Sequence, residues 1–542
     1  MSAPSPVEIS EILQNIFSHC DDCDMYRNLL VCQQWSDVGL DMLWYKITDL
    51  RPFLELFGEL EGKGETYASE SYIFAGVPSF VSWERFEKVY QNRIRIISLD
   101  STDIEYRPAL STLSQMRSEG PLLPKLHTLR WYGLSGLGLI EPSVMFMHSG
   151  IREFAITQFE DDDDDDDLED LEADVLVSFC AAISARMPFL SCLHLRVYPL
   201  QIYEKSVVAL MKRLPNLREI LVPPFPDLTQ ISLGLAEVPQ IEIFIISNNF
   251  GEPPSSILKQ SNPPQRLDLR KLQQMALYCT YPFGTNLLQS ISSSQEMRSL
   301  TMESHYPEPS NNIRVLISQI ATKFSHLTQL HLRYNSHICG TSTGRILGTL
   351  LSRPLAKDII HLKHLIPILS SCPNIIQFDL QSPYPPAIDD HDMETIAKSW
   401  PGLEEFSFCH QPGVLLLKRE KRLTLKALSH FSRHCPNLSK LQLYIDATSD
   451  HIPGVTSLKV KRFAKLRTFN VGPSPIDEHA RVAYILAHFC STETKLSFGS
   501  EWGHSDRIDP KINSTWRTAW KAVEPVLPVM TGMQEKIDSL QM

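Results

Sequence analysis

From Ile94 to Phe498 one short phrase keeps returning: an apolar anchor, two variable residues, an apolar residue, one variable residue and another apolar residue. It reads IRIISL from Ile94, LHTLRW from Leu126, IREFAI from Ile151, LSCLHL from Leu190, LREILV from Leu217 and IEIFII from Ile241. It continues as MRSLTM from Met297, LTQLHL from Leu327, IIQFDL from Ile375, LEEFSF from Leu403, LSKLQL from Leu438 and LRTFNV from Leu466. A thirteenth, ETKLSF from Glu493, has a charged anchor. In seven of the twelve clear cases a proline stands two residues before the anchor, and amphipathic runs such as NIRVLISQIATKF precede several of them. A helix that meets such a proline cannot take another turn, so the chain passes into a short strand. The alternating apolar residues of that strand point to one side and the residues between them to the other. One helix–strand unit cannot bury its own apolar face, so the units must stack, with the strands parallel and the helices returning the chain. A doubly wound α/β core also alternates helix and strand and is the other architecture such a pattern admits.

The anchors from 94 to 493 make twelve steps over 399 residues, or ~33 per repeat,. The spacing is uneven, and the 56-residue gap between 241 and 297 has room for one more repeat near RLDLRKL. If the anchors face inward, the residues between them form a solvated strand face. That face is expected to carry Arg130, Tyr132, His194, Arg196, His331, Arg333, Gln377, Asp379, Lys440 and Tyr444. Three positions break its polarity: Leu221, Ile243 and Ile245. Either a bound protein covers these aliphatic groups, or a stretch such as GEPPSSILKQSNPPQ folds back over them. Of these, Leu221, Ile243, Ile245, Arg130, Tyr132, His194, Arg196, His331 and Arg333 are the candidate target-binding set.

The first fifty residues are different in kind. In SEILQNIFSHC, Ile12, Leu13, Ile16 and Phe17 share one helical face, with Ser10 placed to cap the N-terminus,. Asp24 is placed to cap a second helix through MYRNLLVC, and a third carries Trp35, Val38 and Leu43 or Trp44 inward. Three helices in about forty residues bury little, so the bundle either caps the rest of the chain or is completed by a partner helix.

The run ISEILQNIFSHC…YRNLLVCQQWSDVGLDMLW resembles the F-box, especially the versions abundant in filamentous fungi. Glu11, Ile12, Leu13, Ile16, Phe17, Val31, Cys32, Trp35, Leu43 and Trp44 match the family pattern. The sequence departs from it at Ile9-Ser10, where Leu-Pro is usual, and at Gln33, where a basic residue is common. The resemblance implies docking on a Skp-type adaptor, and through it a cullin, by Ile9, Ser10, Ile12, Ile16, Val31 and Trp35. In that family the proline replaced here by Ser10 touches the adaptor. The recurring phrase is similar to the leucine-rich repeat, whose pattern ends in an Asn or Cys eight residues after the anchor, as Asn249 and Asn335 do here. The expected architecture is α/β. An F-box spans 6–47, a linker or cap 48–89, an irregular leucine-rich-repeat solenoid 90–505 and a helical cap 506–542, with the parallel sheet concave and the helices convex. The resemblance implies a substrate-recognition subunit of a cullin–RING ubiquitin ligase holding a target protein. A repeat scaffold with no ligase is the other reading, and Ser10 favours it.

Charge and chemistry narrow the field. The net charge of −12 comes from EDDDDDDDLEDLEAD (160–174); without its 12 acids the chain has 51 acidic and 51 basic residues. No basic field is left to hold a phosphate backbone, so nucleic acid is not expected as a partner. The acidic run reads as a solvated insertion between repeats, without the spaced ligands and turn glycine of a calcium loop. Eleven scattered cysteines suggest free thiols in a reducing compartment, cytoplasm or nucleus,. MSAPSPVEIS does not read as a signal peptide, Ser2 rules out myristoylation at that position, and no apolar run is long enough to span a bilayer,. CDDC at 20–23 has no second pair nearby, and GLSGLG at 133–138 fits neither a phosphate loop nor a nucleophile elbow,. The sequence therefore predicts no metal, no cofactor, no membrane association and no catalytic residue.

Overall fold

The computed structural model describes residues 9–63, 71–99, 106–116, 119–133, 141–158, 169–197, 201–225, 228–247, 266–292, 294–304, 308–334, 358–412, 421–455, 458, 460–499 and 510–541. The chain divides into two compact units, Met1–Ile241 and Glu242–Met542.

The first unit opens with three helices, α1 (Ser10–Phe17), α2 (Asp22–Asn28) and α3 (Gln33–Leu43). Two cap assignments need correcting. Ile9, not Ser10, is the extended residue before α1, and no side chain caps it. Asp21, not Asp24, caps α2 by accepting the Asp24 amide at 2.8 Å, and that helix stops at Asn28, short of Val31. Leu13, Phe17, Met25 and Val38 form the buried centre, with Cys20, Trp35, Met42 and Leu43 packed around it. Helices α2 and α3 approach so closely that a Cβ on Gly39 would lie 2.5 Å from Leu29 Cδ2.

A strand comes immediately after. β1 (Lys46–Ile47) pairs in parallel with β4 (Ile96–Ser98), so the sheet begins before residue 48 and the stretch 48–89 is no linker. It contains α4 (Leu50–Glu55), an antiparallel hairpin of β2 (Leu60–Lys63) and β3 (Ser71–Phe74), and α5 (Phe80–Val89). Phe53, Trp83 and Phe86 from these helices and Phe57 from the turn after α4 pack edge-on or tilted against one another in the interior. After α6 (Arg107–Gln115) the parallel sheet continues through β5 (Thr128–Gly133), β6 (Glu153–Gln158), β7 (Cys192–Arg196) and β8 (Glu219–Val222). Helices α7 (Glu169–Arg186), α8 (Gln201–Arg213) and α9 (Leu228–Ala236) return the chain and touch one another in sequence, making a layer of their own. The acidic run is only partly an insertion. Residues 160–168 lie outside the described residues, but the backbone from Glu169 to Asp174 forms the first turns of α7.

The second unit repeats the plan. Parallel strands β9 (Ile243–Ile246), β10 (Gln274–Tyr278), β11 (Ser299–Ser304), β12 (Gln329–Tyr334), β13 (Gln377–Leu380), β14 (Glu405–Phe408), β15 (Lys440–Leu443), β16 (Thr468–Asn470) and β17 (Lys495–Ser497) pair in chain order. β10 is the repeat for which the 56-residue gap left room, anchored by Leu272, the last residue of RLDLRKL. The unit ends in a helix, Pro510–Gln541, which lies on helix His479–Phe489 and buries Trp520, Val523 and Leu527. The Trp520 indole donates to the Ser474 carbonyl at 2.8 Å.

All twelve clear anchors are at most 3% exposed. The turn before them is shared: the amides of Leu217, Leu327, Leu403 and Leu438 each donate to the carbonyl three residues earlier at 3.2 Å. That contact closes the helix end and launches the strand. The next two amides then reach back to a single carbonyl of the preceding repeat, as Arg218 and Glu219 do to Ser191 at 2.8 and 3.0 Å. Truncating such an anchor to alanine costs about 2–5 kcal/mol, since neighbouring repeats cannot collapse into the gap. The fold is thus an F-box-like helical front followed by an irregular leucine-rich-repeat α/β architecture. The repeat asparagines Asn249 and Asn335 lie outside the described residues.

Candidate functional site

Two kinds of surface emerge. The first is the outer side of the helical bundle. Burying Leu13 and Phe17 leaves Ile12 and Ile16, one residue before them and about 100° round the helix, at the edge of that face, 38% and 43% exposed,. Tyr26, Leu30 and Val31 are 61%, 87% and 59% exposed. Ile9 is half-buried and Ser10 exposed. Trp35 sits differently: half-buried, it meets Phe17 edge-on at 5.4 Å and braces the core more than it lines the surface. Five large apolar groups remain in water around a core of four residues, an arrangement that favours being covered.

The bundle is fixed to the repeats behind it. Trp44 meets Tyr90 edge-on at 4.9 Å. Arg93, 17% exposed, pairs with Asp37 at 2.9 Å and with Asp41, and also donates to the Asp37 carbonyl at 2.9 Å and the Val89 carbonyl at 2.7 Å. The Arg95 and Ile96 amides both reach the Tyr45 carbonyl, at 3.0 and 3.1 Å. Apart from Trp44, none of the side chains in this seam was among the residues the sequence singled out. Only their spacing across 52–56 residues of chain, closed by β1 pairing with β4, brings them together.

The second surface is the strand face. In the first unit Arg130 is exposed and pairs with Glu153 at 2.6 Å, while His194 Nε2 lies 2.8 Å from Glu219 Oε1 and 3.4 Å from Cys192 Sγ. Arg196 is half-buried, and Tyr132 belongs to β5 but its side chain lies outside the described residues. Leu221 needs a correction: it is 5% exposed, inside a stretch buried without a break from Ile220 to Phe225, and offers no open apolar surface. Burial, with the Glu219 and Glu153 carboxylates adding to it, pushes the Cys192 thiol well above its ordinary range.

In the second unit Ile243 and Ile245 are half-buried on β9. Further along, Arg333 reaches Asp379 at 2.7 Å and Glu303 at 3.7 Å, and His331 Nδ1 lies 4.0 Å from the same Asp379 oxygen. Burial, then the neighbouring Arg333, lowers the His331 pKa, so the ring stays neutral where a free imidazole would already take up a proton. Gln377 donates to Glu405 at 3.3 Å, and Lys440 lies 3.8 Å from that same residue; Tyr444 is buried. The polar residues of the face are therefore largely paired strand to strand, which gives the face a fixed pattern of charge.

Deep thiols elsewhere are structural. Cys372 and Cys435, each three residues before an anchor, donate to the Phe324 carbonyl at 3.3 Å and the Ala397 carbonyl at 3.5 Å. Burial pushes them up to about 11 and about 12. Among the described residues, no helix is long and apolar enough to cross a membrane.

A family model described as F-box-like matches residues 10–49, the three helices and the first strand. Residues 10–49 are an F-box-like domain. No curated protein sequence matches the chain. Among solved structures it is similar to a chain of "Crystal structure of TLR13-ssRNA13 complex", at 12% identity and a TM-score of 0.31. The likeness covers 76% of this chain and 62% of that one, so the chain spans less than two thirds of that structure's length. F-box domains as a class join substrate receptors to SCF-type ubiquitin ligases, and stacked leucine-rich repeats as a class present surfaces for binding protein.

Proposed function

We propose that the protein is the substrate-recognition subunit of a cullin–RING ubiquitin ligase, working in the cytoplasm or nucleus. The F-box-like domain docks on a Skp-type adaptor, and through it a cullin, by Ile12, Ile16, Leu30 and Val31, with Ile9 and Ser10 at the edge. The strand faces hold a target protein. The chain itself does no bond chemistry; the RING subunit and the conjugating enzyme supply it. Neither nucleic acid nor membrane is a partner on this reading. The observation that carries it is the ring of exposed apolar side chains on a domain too small to use them internally. The tether through Arg93 and Trp44 supports it further, because a receptor must hold its target at a set distance from the ubiquitin donor.

The test is co-purification of the full chain with a Skp-type adaptor. Ile16→Asp places a carboxylate on a surface that must be dry, which costs several kcal/mol in binding unless the group keeps its water. Adaptor binding is expected in the wild type and lost in the variant, with the repeats still folded. Equal binding by both, or none by either, overturns the proposal. The latter result turns the reading to a repeat scaffold without ligase, which the serine at position 10 favours.

A further inference from the structure

Strands β6, β7 and β8 run in register, which places Glu153, Cys192 and Glu219 in one row across the strand face. His194, two residues further along β7, points to the same side,. The result is a thiol, an imidazole and a carboxylate at one spot. Cys192 Sγ lies 3.4 Å from His194 Nε2, which lies 2.8 Å from Glu219 Oε1, and all three donor atoms fall within 4.8 Å of one another. A tetrahedral zinc ion, with Zn–S about 2.3 Å and Zn–N about 2.0 Å, separates its donors by roughly 3.5 Å. Small side-chain rotations therefore suffice to admit it. Glu153 stands beside the three, already held by Arg130 at 2.6 Å and by the Thr128 hydroxyl at 3.3 Å, so it supplies negative charge more than a ligand.

We propose that Cys192, His194 and Glu219 form a binding site for a zinc-class divalent cation on the strand face of the first unit, with the fourth coordination position left to water. The donor set decides the class of ion. Sulfur and nitrogen together select zinc or cobalt over the hard cations magnesium and calcium, which require oxygen ligands. The rigid register decides the geometry, because all three ligands stand on paired strands and none on a loop. His194 and Glu219 are 20% and 32% exposed, which leaves the ion a path in from solvent. The site does not depend on the ligase reading.

The experiment uses the full-length protein stripped of metal by a chelator and titrated with Co²⁺, then with Zn²⁺. A thiolate-to-cobalt charge-transfer band with tetrahedral visible bands is expected, displaced by zinc. Cys192→Ser is expected to remove the charge-transfer band and lower the bound metal by one equivalent relative to wild type. That comparison subtracts any ion held by the exposed Cys23 and Cys32 thiols, which both proteins share. His194→Gln is expected to weaken zinc binding by at least the roughly 10–100-fold that outer-shell changes alone produce. If Cys192→Ser fails to fold, His194→Gln decides the matter. Absence of the charge-transfer band in the wild type, or its persistence unchanged in both variants, overturns the proposal.

Discussion

Replacing Arg93 by alanine is expected to loosen the F-box-like helices from the repeats while leaving most of the chain intact. The partners set the size of the effect. Asp37 and Asp41 are 57% and 53% exposed, so their ion pairs with Arg93 contribute only about 0–1 kcal/mol each after solvent screening,. Across the seam the guanidinium also satisfies the Asp37 carbonyl at 2.9 Å, worth about 1 kcal/mol net, whereas its bond to the Val89 carbonyl stays on its own side and does not count towards opening,. Alanine leaves Asp37 and Asp41 as a like-charged pair one helical turn apart, adding a few tenths of a kcal/mol. The total is about 2 kcal/mol, or roughly 30-fold in the local opening constant. Native-state hydrogen exchange reads that constant directly. Amides of α3, and those of Arg95 and Ile96 that bond to Tyr45, are expected to exchange roughly 30-fold faster, with β12 to β14 unchanged. Arg93→Lys, which keeps the charge and loses the fork, is expected to fall between. Unchanged exchange in α3 refutes the tether, and equal acceleration throughout the chain shows that Arg93 supports global stability instead.

Gly472 holds φ at +55°, and a Cβ there would lie 1.9 Å from the His410 carbonyl oxygen, so Gly472→Ala is expected to cost on the order of 3–5 kcal/mol in denaturant unfolding,. His410, 2% exposed, has its pKa lowered to about 4 by burial, below its ordinary 6.5. The unfolded state therefore takes up the proton first, so this contribution is full above about pH 7 and falls by up to about 3 kcal/mol as pH drops from 6.5 through 4; His410→Gln is expected to lessen the slope of that limb of a melting-temperature profile, with His364, also lowered to about 4, keeping part of it,. The double change Ile243→Ser with Ile245→Ser removes two half-buried side chains and is expected to cost about 1 kcal/mol each while abolishing target capture; a much larger fall in melting temperature means that the face is internal,.

The repeats were legible because their signal is local. An anchor, its spacing to two further apolar residues and a proline before it all lie within nine residues, and each anchor is buried for the reason the pattern gives. β10 obeys the same phrase, LQQMAL from Leu272, and was obscured by the uneven step on either side. β1 carried no phrase at all, since two residues are too few to show a period, and so the stretch behind it read as a linker or cap. The Arg93 contacts were beyond reach for a different reason: their partners lie on another helix, and no pattern within either segment names them.

The strand face was legible as a list and not as a site. Which residues point outward follows from alternation, but which of them meet depends on register between repeats, and Arg130 and Glu153 are 23 residues apart while Arg333 and Asp379 are 46 apart. The register turns out to be simple. Glu153, Cys192 and Glu219 each stand two residues after their anchors Ile151, Leu190 and Leu217, and they line up across the sheet. His194 and Leu221 each stand four after theirs and line up as well. Writing the repeats one under another by anchor therefore yields the columns of the face from sequence alone. On that grid a cysteine with a histidine two residues on and a glutamate in the next row is a juxtaposition of three metal-binding donors, although nothing in any single repeat marks it as one.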